Sequence, residues 1–264
     1  MNVLMMTDIE GCAGVVSFES DSYPTGKYYE AAKKLLTAEV NAAVQGLVEA
    51  GVEEVLVLDM HGPGGISFED LKAPAKVMHG RPLGPRAVRD EVMKEYDTAV
   101  IVGQHAMAGA VDGDLAHTQS SKAIDFIRLN GKNIGEIAQF ALDVGAMDIP
   151  VILLTGDEAA CREAEEFIPG ITTVAVKRGI GRNSAISLSA EEARRRIREG
   201  AKAAVLKHRK KPVKPVVWKG PYVLEKRYFH TDVADQYANA PDVERVDSQT
   251  VRLKGDDIRT IIYR

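Results

Sequence analysis

The chain has 264 residues, 45% of them hydrophobic and 27% charged, with a formal net charge of −4. This is the balance of a soluble globular protein, one large domain or one large and one small, and its acidic total predicts no nucleic-acid or anionic-membrane partner. No apolar run approaches the roughly 20 residues of a membrane span. The start lacks the basic n-region of a signal peptide, and Cys12 and Cys161 are too few for a disulfide framework, so the expected location is the cytoplasm.

In chain order, Val3 to Met6 read as a short buried strand, followed at once by Asp8 and Glu10. Side chains two apart on a strand share a face, so two like charges aim at one spot. That placement is costly unless something neutralises them. Cys12, next door, reads as a small packing residue. A helical stretch spans 28–51, and EEVLVLDM (53–60) is a strand that ends at His61. DTAVIVGQH (97–105) is another, ending at His105, and His117 lies in GDLAHTQ beyond it. Alternation on either side of Asn130-Gly131 predicts a β-hairpin within 122–136. A helix over 134–147, a strand over 149–157, a helix over 157–168 and a strand over 172–177 come next.

Continuous apolar strands separated by amphipathic helices predict an α/β fold, a mainly parallel sheet sandwiched by helices. From about Asn183 the pattern changes. Ser189 with Glu192 three residues on caps a long basic helix, its charges a solvated face, and Pro212 and Pro215 punctuate the chain beyond that helix. The expected division is a catalytic α/β domain over 1–185 and a smaller α+β domain over 186–264.

In an open parallel sheet, ligands bind beyond the carboxyl ends of the strands. Asp8, Glu10, His61 and His105 all emerge there, His117 lies in the loop beyond, and Glu136 joins them if the hairpin returns to that edge. Three histidines and three carboxylates suit Zn²⁺ or a similar divalent ion. Six donors exceed what one catalytic zinc uses, whereas a two-metal site bridged by Asp8 would use them all. Taken singly, each group reads as an ordinary cap, loop salt bridge or satisfied histidine; their shared position raises the joint reading. His79, His208 and His230 lack that context. GPGG (62–65) has no phosphate-loop arrangement around it, and Ser120 and Ser121 lack a nucleophile elbow.

Together, TDIEGCAGV, VLVLDMHG, VGQHAMAG, AHTQSSKAID, LNGKNIGEI, IPVILLTGD and AVKRGIGRNSAISLS resemble the D-aminopeptidase family of metallopeptidases, from the first strand into the C-terminal part. The resemblance implies two zinc ions per chain and hydrolysis of short peptides that contain D-amino acids. It implies Asp8, Glu10, His61, His105 and Glu136 as metal ligands and His117 as the catalytic residue, with Asp59 orienting His61. It also implies a homo-oligomer, ring-like in related proteins. The chain departs from the family pattern at GPGGISF, at Met60 and at Gln139-Phe140, none of which removes a ligand. Those departures leave open a di-metal amidase acting on cell-wall peptides, and the ligand set alone would also suit a metal-dependent phosphoesterase.

Overall fold

The apolar β-branched runs become strands of one sheet because both of its faces are covered. In this computed structural model, which describes residues 1–264, the first strands are β1 (Asn2–Thr7), β2 (Glu54–Asp59), β3 (Ala75–Met78) and β4 (Thr98–Gln104). Then come β5 (Ile124–Leu129), β6 (Lys132–Asn133), β7 (Val151–Asp157), β8 (Thr172–Gly181) and β9 (Ser184–Ser187). The last are β10 (Tyr222–Tyr228), β11 (Val243–Arg245) and β12 (Thr250–Gly255). The helices are α1 (Tyr29–Glu49), α2 (Arg86–Met93), α3 (Glu136–Gly145), α4 (Glu158–Phe167), α5 (Ala190–Lys210), α6 (Thr231–Ala238) and α7 (Ile258–Ile261).

The main sheet runs β3-β2-β1-β4-β7-β8-β9 and is parallel except for β9, which returns antiparallel along β8. Strands β4 and β7 are buried along their whole length, as strands covered on both faces must be. Helices α1 and α5 pack on each other, and α3 and α4 flank β4 and β7. The chain builds β2 and β3 on one side of β1, then crosses to place β4 on the other. Strand order therefore reverses between β1 and β4, where an open sheet leaves a crevice at its carboxyl edge.

A second, antiparallel sheet runs β11-β12-β10-β5-β6. The predicted turn between β5 and β6 has Asn130 at φ +50° and Gly131 at φ +80°, two left-handed residues as a type I′ turn requires. The hairpin pairs with β10, matching Leu129 to Leu224 and Ile127 to Lys226. Helix α3 lies between the two cores. Its Phe140, Ala141 and Val144 enter the larger, while Ala138 and Leu142 enter the smaller. That is why it is buried almost all round, its polar Gln139 and Asp143 included.

The basic helix α5 sends Ala193, Ile197, Ala201, Ala204 and Val205 into the larger core. The expected boundary at 185 therefore does not coincide with the division between the cores: α5 packs with the first, and the hairpin joins the second. Local patterning specifies what kind of element a segment forms, and the partner it packs on is decided elsewhere in the chain.

Candidate metal centre

Asp8 extends β1 by one residue, its N–H donating to the Val102 carbonyl at 3.1 Å, and Gly11 donates to the Gly103 carbonyl at 2.7 Å. Gly103 sits at φ +79°, and a Cβ there would lie 2.1 Å from the Asp8 carbonyl oxygen. Only glycine lets β4 end this close to β1. Buried Lys177 on β8 holds the loop after Asp8. Its ammonium donates to the carbonyls of Glu10 (2.5 Å) and Val15 (2.6 Å) and to the Asp114 carboxylate (2.7 Å).

From α1, Glu39 accepts the Ala13 N–H of the same loop at 3.0 Å. Burial pushes its carboxyl up to about 7, opposed only in part by that hydrogen bond. The folded state thus binds the Glu39 proton more tightly than the unfolded chain does. Stability from this group is present below the ordinary carboxylate range and is lost as pH rises toward 7. Glu39→Gln keeps the acceptor without the charge, so thermal melts should show it stabilised by about 1–3 kcal/mol near pH 8 and almost unchanged near pH 5.

The six predicted groups converge at the carboxyl edge. Asp8 directs its two oxygens to different histidines: Oδ1 is 3.0 Å from Nδ1 of His61, and Oδ2 is 3.0 Å from Nε2 of His105. Glu10 Oε2 is 3.1 Å from His61 Nδ1. Glu136, the first residue of α3, brings Oε1 to 3.5 Å from His105 Nε2 and 4.0 Å from His117 Nε2. The rings of His105 and His117 stack with centroids 3.9 Å apart, and Phe18 packs edge-on to His117.

Each imidazole has one nitrogen tied to a backbone carbonyl. Nδ1 of His105 bonds Ala106 at 2.9 Å, Nδ1 of His117 bonds Leu115 at 2.9 Å, and Nε2 of His61 bonds Ser22 at 2.8 Å. A carbonyl only accepts, so that nitrogen carries the proton, and in the neutral ring the opposite nitrogen turns a lone pair toward the carboxylates. His105 Nε2 and Glu10 Oε2 are sealed from solvent without a hydrogen-bond partner despite the short distances around them. His61 Nδ1 lies within hydrogen-bond distance of Asp8 Oδ1 at 3.0 Å, whereas His105 Nε2 and Glu10 Oε2 are left for a cation. One set of mutually close donors is Asp8, Glu10 and His105; another is His105, His117 and Glu136. Nitrogen and oxygen donors so placed fit divalent cations of the zinc type.

The protonation behaviour agrees with this. Burial alone would raise Asp8, but the adjacent rings of His105 and His61 hold it well below the usual carboxylate range. Burial disfavours the cationic rings of His61 and His105, yet the adjacent carboxylates outweigh it and hold both well above the ordinary imidazole value. The carboxylates demand positive charge, which ring protons supply until a cation displaces them. His117 behaves oppositely: burial and the charge of His105 lower it, so its ring stays neutral.

The cluster opens into a cavity of about 590 Å³ lined also by Tyr23, Met60, Gln119, Ser121 and Tyr263. A larger groove of about 890 Å³ runs along α1 and α5, where Glu49 already pairs with Arg198 and Lys202. Asp59 accepts the Gly65 N–H at 2.8 Å and shapes the turn carrying His61, with no direct bond to that ring. Gln139, one of the departures from the family pattern, donates to the Ile262 carbonyl at 2.7 Å and so docks the C-terminal tail beside the cavity. Sequence reasoning passes over Gln119, Lys177 and Tyr263. Lys177 and Tyr263 reach the site from segments with no predicted site residue, whereas Gln119 lies two residues past His117 and is of no ligand type itself.

A family model described as D-aminopeptidase matches residues 1–263. A D-aminopeptidase of Bacillus subtilis (strain 168) is 29% identical over 262 residues, covering 98% of this chain and 93% of the relative. Among solved structures, the Zn-dependent D-aminopeptidase DppA from Bacillus subtilis, described as a self-compartmentalizing protease, superposes with a TM-score of 0.90 at 27% identity. The match covers 100% of this chain and 94% of that one.

Proposed function

The chain belongs to the D-aminopeptidase family, and from that premise we propose a zinc-dependent metallopeptidase that removes the N-terminal D-residue from short peptides. The observation that carries the reading is the convergence of six nitrogen and oxygen donors at the β1/β4 crevice. Asp8, Glu10, His61, His105 and Glu136 are the residues that would hold two zinc ions, and the two oxygens of Asp8 face different histidines. Bound there, divalent cations lower the pKa of water and polarise the scissile carbonyl.

The remaining chemistry falls to His117. Its ring is neutral and oriented by Leu115, so Nε2 is free to accept a proton from the attacking water and hand it to the leaving amine. Asp8 and Glu10 are brought together at His61 by the turn after β1 rather than by a shared strand face, and bound cations would neutralise both.

We further propose a homo-oligomer, ring-like as the family resemblance implies. Val111, Ile180 and Ile186 are exposed apolar residues on the 107–118 loop and the adjoining β8–β9 hairpin, where a Cβ at Gly179 would lie 2.4 Å from the Asp112 carbonyl oxygen. A reducing cytoplasm suits the two buried, unpaired cysteines.

Metal content and turnover of the purified protein test the assignment together. Near two equivalents of zinc per chain are expected, with cleavage of D-Ala-D-Ala abolished by a chelator, restored by zinc, and absent for L-Ala-L-Ala. Failure to take up stoichiometric metal after zinc is added back would make the cluster a structural one.

A further inference from the structure

Gln119 stands in an unusual position on the wall of the cavity. Its backbone is at φ +62°, a left-handed conformation that is uncommon for a residue other than glycine, asparagine or aspartate. That conformation lets its N–H donate to Oε1 of Glu136 at 2.7 Å. The side chain runs toward the second sheet, where Oε1 accepts from Nζ of Lys226 at 2.7 Å. An ammonium only donates, so the carboxamide has one possible orientation. Its Nε2 therefore faces away from Lys226, and it is buried without a partner.

Lys226 is as telling. It lies on β10 and is only 3% exposed, yet no carboxylate lies within salt-bridge distance and its one side-chain partner is the neutral Gln119. Burial, with the charge of Arg264 nearby, pushes its ammonium down to about 8. Lysines are almost never fully buried unless paired, because an uncompensated charge is costly. The Tyr263 hydroxyl, on the same cavity wall, is likewise buried and unpartnered. Gln119 and Tyr263 thus line the cavity beside Glu136 with buried, unpartnered donors, and the uncompensated cation of Lys226 stands behind Gln119 rather than in the lining.

We propose that Lys226 and Gln119 form an anion subsite that receives the C-terminal carboxylate of a short peptide while its N-terminal end lies at the metal cluster. The inference rests on the peptidase reading and adds to it the group recognised beyond the scissile bond: a free C-terminal carboxylate, held at Gln119 with Lys226 behind it. Gln119 touches the substrate, and Lys226 orients its amide and supplies the charge. The second sheet then selects the substrate rather than merely bracing the catalytic one.

The test compares D-Ala-D-Ala with its C-terminal amide. In the wild type, kcat/KM favours the free carboxylate by about tenfold or more, the scale of a hydrogen bond to a charged group. Lys226→Met removes the cation while keeping the buried volume, and Gln119→Glu fills the subsite with a carboxylate of its own. Both should bring the ratio close to one, chiefly through KM. Because Gln119→Glu completes the charge pair and should melt no lower than the wild type, misfolding cannot account for its loss of discrimination. Equal losses on both substrates, with the ratio unmoved, would overturn the proposal.

A binding measurement separates this outcome from failure of the peptidase reading. N-acetyl-D-alanine carries a carboxylate and no free amine, and calorimetry should find it bound at least about tenfold more weakly by Lys226→Met. Equal affinity for the two proteins would overturn the subsite whatever peptide the enzyme cleaves.

Discussion

Replacing His117 with alanine should lower kcat by about 10²–10⁴-fold, the range that a positioned general acid–base contributes, and leave bound zinc unchanged. The ring is placed for proton transfer. Leu115 fixes Nδ1, Phe18 and His105 hold the plane, and Nε2 faces the carboxylate end of the cavity. Burial and the neighbouring positive charge keep it neutral, and a bound dication would press in the same direction. The wild-type rate should therefore fall on acidification only below the ordinary imidazole range, as the base becomes protonated, and the variant should lack that limb. Zinc analysis alongside kinetics decides the assignment. His117 is close enough to His105 and Glu136 to share an ion with them, so metal lost together with turnover would make it a ligand instead.

Asp8→Asn should abolish both zinc binding and turnover while leaving the protein folded. Asparagine preserves the side-chain oxygen that accepts the Ile9 N–H at 2.8 Å, and with it the local turn. It removes the charge that both His61 and His105 face. Outer-shell partners of a metal ligand are worth roughly 10–100-fold in affinity, and under the proposed assignment the loss of a ligand carboxylate should exceed that. Chelator competition measures the loss directly. Full zinc occupancy in the asparagine variant would remove Asp8 from the ligand set.

The two variants test parts of the site that differ in legibility. Asp8, His61 and His105 are readable because each directly follows an apolar run, and parallel strands deliver their carboxyl ends to one edge. Glu136 is readable only with the hairpin, whose Asn130-Gly131 turn returns the chain to the start of α3. The Gln139-Phe140 departure is visible in the sequence, but its meaning is not. One side chain holds the Ile262 carbonyl and the other fills the main core.

What the sequence by itself determined is local: the long apolar strands and amphipathic helices, though not β3 and α2 between residues 61 and 97, the hairpin turn, and the identity of the donors at the strand ends. These arise from periodicity and from residue chemistry, which act over a few residues at a time. The tertiary structure alone decided that α5 packs into the larger core, that the hairpin leaves for the second sheet, and that the C-terminal tail borders the cavity. It also decided that Lys226 meets Gln119, a contact between residues 107 apart in the chain. Such contacts depend on how two separately formed sheets dock across α3, and no local period records which side chains that docking will bring together.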